Sequence, residues 1–126
     1  MKKIIFTDKA PAPIGPYSQA VLSGNTLYTS GQIALHPETG ELVLDDIETE
    51  TKQVMENMQA VLEAAGMKFD NVLKATIFIS DMNDFAKING VYGSYFTEEN
   101  APARETVQVA KLPKNVNVEI SMIAVL

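Results

Sequence analysis

Apolar residues in this chain follow two rhythms, and the switches between them mark out its elements. From 47 to 65, Ile47, Val54, Met55, Met58, Val61, Leu62 and Ala65 recur at intervals of three, four and seven. That spacing is one face of an α-helix. Asp45 or Asp46 can cap its start, and Gly66 suits the left-handed position past its end. The methionines on this face read as core filler rather than cofactor contacts. A second helix spans about 84–96, with Phe85, Ile88, Tyr92, Tyr95 and Phe96 on one side. Elsewhere the rhythm is that of strands. Residues 3–6, 17–22 and 26–33 are short apolar stretches, the last two separated by the hairpin-type turn Ser23-Gly24-Asn25. Residues 72–79 are rich in β-formers, and strands near 104–109 and 116–125 close the chain. Prolines 11, 13 and 16 hold residues 10–16 in turns and extended chain, and His36-Pro37-Glu38-Thr39-Gly40 is a further turn. Strands, helix, strand, helix and two strands predict an α+β fold, a mixed β-sheet with both helices packed on one face. All of 1–126 reads as a single domain.

The other face of the sheet is less regular. In the last strand Val118, Ile120, Met122 and Ala124 point one way and belong against the helices. Asn117, Glu119, Ser121, Ile123 and Val125 point the other way, half polar and half apolar. Strand 104–109 splits too, with Val107 and Val109 on one side and Arg104, Thr106 and Gln108 on the other. A mixed face of this kind suits a subunit interface holding a polar pocket. The alternative is a one-layer monomer with a partly apolar back.

Composition narrows the chemistry. The chain of 126 residues has no cysteine, so disulfides, thiolate nucleophiles and sulfur-ligated metals are excluded. No apolar run approaches the ~20 residues of a membrane span, and the apolar stretch after Lys2-Lys3 stops at Phe6, too short for a signal peptide. The expected location is the cytoplasm. Net charge is −6 and the lysines are scattered, which argues against nucleic acid as the main partner. The only histidine, His36, lies in the Pro/Gly turn, so neither a metal centre nor a Ser-His-Asp triad is expected. No phosphate loop or dinucleotide fingerprint occurs. What remains is an anion clamp, a carboxylate and hydroxyls.

Four features offer that chemistry. Arg104 is the only arginine among ten cationic residues, and its planar fork matches a carboxylate with two parallel hydrogen bonds. Glu119 is an acid on a largely apolar strand, and so is either functional or ion-paired, with Arg104 or with a lysine of a neighbouring chain. Ser30-Gly31-Gln32 puts a glycine inside a strand pattern, which marks either close approach by a ligand or another backbone or a simple bulge. Tyr17 sets a phenol beside the stiff Ile14-Gly15-Pro16 turn, where packing alone would also explain it.

Together these residues resemble the RidA (YjgF) family of reactive intermediate deaminases. The resemblance runs through Gly15-Pro16-Tyr17-Ser18-Gln19-Ala20, Ser30-Gly31-Gln32-Ile33, Glu63-Ala64-Ala65-Gly66, Asp84-Phe85, Pro102-Ala103-Arg104, Leu112-Pro113 and Val118-Glu119-Ile120, in order along nearly the whole chain. It implies a chorismate-mutase-like fold and a homotrimer with clefts between subunits. It also implies hydrolysis of small enamines and imines, such as 2-aminoacrylate and 2-aminocrotonate, to 2-keto acids and ammonia without a cofactor. By position, Arg104 matches the arginine that grips the substrate carboxylate and Glu119 the glutamate associated with the water; Tyr17, Ser30, Gly31 and Asn89 match other cleft positions. Thr106 lies where some members carry cysteine, so a thiol mechanism is impossible here while the position stays a substrate-binding candidate. Glu105 departs from the small residue usual after the arginine, but strand alternation puts it on the opposite face. Gly90 and Gly93 weaken the second helix by roughly 1 kcal/mol each, for which packing at the subunit interface is one reason. Two other readings compete: a non-catalytic module that binds small carboxylates such as 2-keto acids, and RNA cleavage or translation inhibition.

Overall fold

The computed structural model describes residues 1–126. Its eight elements follow in the order β1 (Lys2–Ile5), β2 (Ala20–Ser23), β3 (Thr26–Thr29), α1 (Ile47–Ala64), β4 (Val72–Ile79), α2 (Phe85–Gly93), β5 (Ala103–Gln108) and β6 (Val118–Val125). The strands form one mixed sheet in the order β1-β2-β3-β6-β4-β5. Every neighbouring pair is antiparallel except β4–β5, which α2 joins as a parallel crossover. Both helices pack on one face, as the patterning predicts.

Helix α1 begins where Asp46 accepts the Thr49 amide at 2.7 Å. It ends in a Schellman turn: Met67 N–H donates to the Leu62 carbonyl and Gly66 N–H to that of Glu63. Gly66 has φ 75°, a conformation that favours glycine. The α1 stripe Val54, Met55, Met58, Val61 and Leu62 is fully buried against Ala75, Ile77, Ile79, Val118, Ile120 and Met122 of the sheet. Burying a side chain of this size contributes about 1.5–3 kcal/mol, so this layer is the main source of stability.

Two elements end earlier than their patterns suggest. The stretch 26–33 stops as a strand at Thr29, because Thr29 Oγ1 takes over as acceptor for the Met122 amide at 2.9 Å. The chain then leaves β6 and touches it again only at Gln32, which exchanges both backbone bonds with Ile120. Asn57 of α1 pins the next turn by donating to the carbonyls of Ile33 and Leu35 at 3.1 and 2.9 Å. Helix α2 runs only to Gly93, not to 96. There Ser94 Oγ donates to the Val91 carbonyl at 2.6 Å, and tighter bonds of the i→i+3 type carry the chain to Phe96. A Cβ on Gly90 or Gly93 would meet nothing within 4 Å, so no close packing inside the chain explains these glycines.

Buried Gln19 ties down the proline-rich segment before β2. It accepts from Thr7 N–H at 2.8 Å and donates to the carbonyls of Thr7 and Pro11, each at 2.9 Å. Gln19→Ala strands these buried groups, and a loss of about 1–3 kcal/mol is expected. A lowered Tm in thermal unfolding checks it.

Candidate functional site

The sheet register decides where the expected site residues go. Arg104 lies opposite Ala75 of β4 and Thr106 opposite Ile77, both core residues under the helices. Glu119 lies opposite Phe78, on the other side of the sheet. Arg104 and Glu119 therefore occupy opposite faces, and an ion pair between them within one chain does not form. The polar half of the 104–109 stretch thus joins the helix side, while Val107 and Glu105 join the open face. Glu105 pairs there with Lys74 at 3.4 Å, clear of Arg104.

The first group of site residues surrounds a cleft of about 430 Å³ on the Glu119 side. Tyr17, Ser30, Gly31, Lys114 and Glu119 line it, and Pro11, Ala12 and Ile14 form one wall. Tyr17 is half exposed and its hydroxyl accepts the Ile14 amide at 3.4 Å. Ser30 Oγ donates to the Ser18 carbonyl at 2.6 Å, which ties the segment after β3 that holds Gly31 to the one before β2 that holds Tyr17. The detour of residues 30–31 away from β6 makes room for the Glu119 side chain. A Cβ built on Gly31 would lie 2.1 Å from Glu119 Oε2 and 2.7 Å from its Cδ. Glycine is required here by the approach of the Glu119 side chain, not of a ligand or another backbone, and Gly31 lies past the end of β3 rather than inside a strand. Burial pushes the Glu119 carboxyl above the usual carboxylate range. Gly31→Ala is expected to displace the whole Glu119 side chain and to lower Tm, because the added Cβ would also come within 2.9 Å of Glu119 Cγ. Thermal unfolding of the variant checks it, and an unchanged Tm would show that the side chain yields freely.

The second group sits at the β5 edge under α2. Phe85, Asn89 and Tyr92 are spaced i, i+4 and i+7, so they share one helix face. The Arg104 guanidinium lies over the rings of Phe85 and Tyr92 at 5.5 and 5.3 Å and donates to Asn89 Oδ1. Two rings and one amide hold its plane, which lowers the entropy lost when it grips a carboxylate. Burial pushes the Tyr92 phenol up to about 12, against a smaller lowering by Arg104. The Tyr92 hydroxyl and Thr106 Oγ1 are buried without a hydrogen-bond partner, two polar atoms left for a ligand or water to satisfy.

One chain thus brings Tyr17, Ser30, Gly31 and Glu119 together, and separately Arg104, Asn89 and Thr106. The aromatic cradle escapes notice in the sequence because Phe85 and Tyr92 read as core; their spacing about Asn89 is the signal that marks it. Lys114 has φ 54° and Asn115 φ 58°, a positive pair that only the folded loop reveals. His36 Nδ1 accepts the Glu38 amide at 3.2 Å and belongs to its turn. No three His, Asp or Glu side chains converge as a metal site, and no helix is long and apolar enough to cross a membrane.

Comparisons with known proteins agree with this fold. The family model described as Endoribonuclease L-PSP matches residues 7–126. A RutC family protein of Pyrococcus horikoshii is 55% identical over 124 residues, 98% of each chain. The 2-iminobutanoate/2-iminopropanoate deaminase of Escherichia coli K12 is 50% identical over 127 residues, covering 99% of this chain and 98% of the relative. Among solved structures, a protein of Thermotoga maritima described as a putative endoribonuclease superposes with TM-score 0.97 at 52% identity, over 100% of this chain and 98% of that one. Escherichia coli TdcF with bound serine superposes with TM-score 0.92 at 48% identity, over 98% of each. A match across nearly the whole chain, in sequence and in fold, makes this protein a member of the RidA (YjgF) family.

Proposed function

We propose that the protein hydrolyses reactive enamines and imines of 2-amino acids, such as 2-aminoacrylate and 2-aminocrotonate, to 2-keto acids and ammonia. The observation that carries the reading is Glu119, a carboxylate without a counter-cation, partly desolvated and laid against Gly31 in a cleft. Arg104 supplies the complementary part, a preset guanidinium for a small carboxylate. Because the two lie on opposite faces, one cleft takes Arg104 from one subunit and Glu119 from its neighbour. The apolar residues of the open face, with Tyr28 48% and Val107 42% exposed, suit burial in such an assembly, a homotrimer. The deaminase relative at 50% identity supports the reaction, and the bound serine of TdcF supports a pocket for amino-acid-like carboxylates.

The steps follow from the residues. Arg104 holds the substrate carboxylate as a bidentate pair and so orients C2. The enamine, CH2=C(NH2)–COO⁻, takes a proton at C3 and loses one from nitrogen to become the imine, CH3–C(=NH)–COO⁻. Glu119 accepts a proton from a water as its oxygen attacks C2. That proton passes to nitrogen to give the carbinolamine CH3–C(OH)(NH2)–COO⁻; its hydroxyl proton then moves to nitrogen as C=O forms and the C–N bond breaks, and ammonia leaves the 2-keto acid. Such substrates hydrolyse unaided, so positioning supplies most of the acceleration needed. No cofactor enters these steps.

The test is 2-keto acid release from 2-aminoacrylate generated in place by a serine dehydratase. Acceleration by wild type that is lost in Arg104→Ala and Glu119→Ala is the expected result. Stabilisation by a 2-keto acid without turnover would favour a binding module instead, a reading that the serine-bound relative also suits. For RNA, tight binding at physiological salt is the result to look for, and the net charge of −6 argues against it.

A further inference from the structure

We infer that Glu50, a residue of α1 that lies outside the cleft, is the positioning residue for Glu119. The inference deepens the proposed reading, since it concerns how the water-holding carboxylate is aimed. Glu50 is completely buried, and no cation pairs with it, the ion pairs of the chain being Lys52–Glu56 and Lys74–Glu105. Its partners are N–H groups instead. Oε2 accepts the backbone amides of Asn117 at 2.8 Å and Val118 at 3.2 Å, and Oε1 accepts the Asn117 side-chain amide at 2.8 Å. All three donors come from the two residues immediately before Glu119.

A buried carboxylate is an expensive way to join a helix to a sheet, and apolar residues of similar volume often do it as well. What the carboxylate adds is direction. Three N–H groups that converge on one carboxyl define its position more closely than apolar contact does, and two of them are consecutive backbone amides at the entry to β6. That entry needs fixing, because the chain arrives through Lys114 and Asn115, both at positive φ. Ser80 completes the clamp: its amide donates to the Asn117 carbonyl at 3.0 Å and its hydroxyl to Asn117 Oδ1 at 3.2 Å. Beyond Glu119, Ile120 exchanges both backbone bonds with Gln32. Glu119 thus sits between two fixed points. Its own side chain takes part in none of the side-chain hydrogen bonds or ion pairs of the chain, so its aim is set by the backbone and by contact with Gly31.

Two variants test this. Glu50→Gln keeps the shape but turns an NH2 group toward donors. Asn117→Ala removes one bond to Glu50 and the Ser80 hydroxyl link, and leaves every charge in place. Carbon-13 NMR of the Glu119 carboxyl reports its titration midpoint, and steady-state kinetics report kcat and KM. In both variants the midpoint is expected to fall toward the ordinary carboxylate value, as Glu119 leaves Gly31 and gains water. Lys114, the cation lining the same cleft, is unchanged throughout. For Glu50→Gln, kcat is expected to drop about 10- to 100-fold with KM nearly constant, because the Arg104 side chain is held by Phe85, Asn89 and Tyr92 rather than by Glu50 or Asn117; Asn117→Ala does the same to a smaller extent. A lower Tm with an unmoved midpoint in the folded variants would show a purely structural role and overturn the inference. A shift in Glu50→Gln alone would be a through-space charge effect and would overturn it too. If Glu50→Gln does not fold, Asn117→Ala decides alone. Absence of turnover in wild type would instead sink the proposed reaction, while the NMR midpoint still decides the role of Glu50.

Discussion

Arg104→Lys is expected to lose on the order of 100-fold in kcat/KM for 2-aminoacrylate hydrolysis while folding normally. The charge survives, but three things that depend on shape do not. An ammonium cannot form two parallel bonds with a carboxylate. It cannot spread over the rings of Phe85 and Tyr92 as the guanidinium does at 5.5 and 5.3 Å. It also cannot spend one arm of a fork on Asn89 while a second faces the substrate. Stability should change little, since Arg104 is exposed at an edge strand and bonded only to Asn89. The measurement is kcat/KM beside Tm for wild type and Arg104→Lys. Turnover like wild type would remove the clamp from the mechanism.

Glu119→Gln is expected to lower kcat by about 10²–10⁴-fold, the range for loss of a positioned base, with KM little altered. The pH dependence follows from burial of Glu119, which raises its affinity for a proton in the folded protein. With Glu119 as the proposed base, kcat should fall as pH drops through that raised value. Stability runs the other way. A carboxyl whose folded pKa is raised favours folding at low pH, and that contribution is lost as pH rises through the folded value. Above that raised value the charged, half-buried carboxylate works against folding, and there Glu119→Gln should melt higher than wild type. The difference should vanish below about pH 4, where the unfolded carboxyl is protonated too. Thermal unfolding across pH checks the sign. A variant that loses both activity and stability at pH 7 would show that Glu119 is structural.

The two inactive variants provide a joint test of the divided site. Mixed after unfolding and refolding, Arg104→Ala and Glu119→Ala chains should recover roughly one quarter of wild-type activity, if each cleft draws on two subunits at random. No recovery from co-assembled chains would place both groups in one subunit's reach, against the register that separates them.

Much of this was legible before any coordinates. Helix α1 announces itself through its apolar stripe, its aspartate cap and Gly66, because a helix face, a cap and a left-handed turn each demand particular residue types at fixed offsets. The alternation of β6 separates Val118 and Ile120 from Glu119, because strand side chains must alternate. Gly31 marks close approach because only glycine tolerates it, and the absence of cysteine removes a thiol nucleophile outright. What alternation does not say is which side of an edge strand faces the helices. Val107 looks like core and Arg104 like open face, yet pairing Arg104 with Ala75 in β4 reverses them. Register between strands distant in sequence is set by the whole sheet, so only the tertiary structure decided that the arginine and the glutamate part company. The same holds for Glu50, which in the sequence is one acid among several on a helix. Its three donors lie 67 and 68 residues away, and a contact at that separation leaves no periodic trace. Local rules thus determined the elements and the residue types of the site, because caps, turns and faces act over a few residues. The division of the site between two faces, and the clamp that aims its carboxylate, came from long-range pairing, which depends on every strand at once.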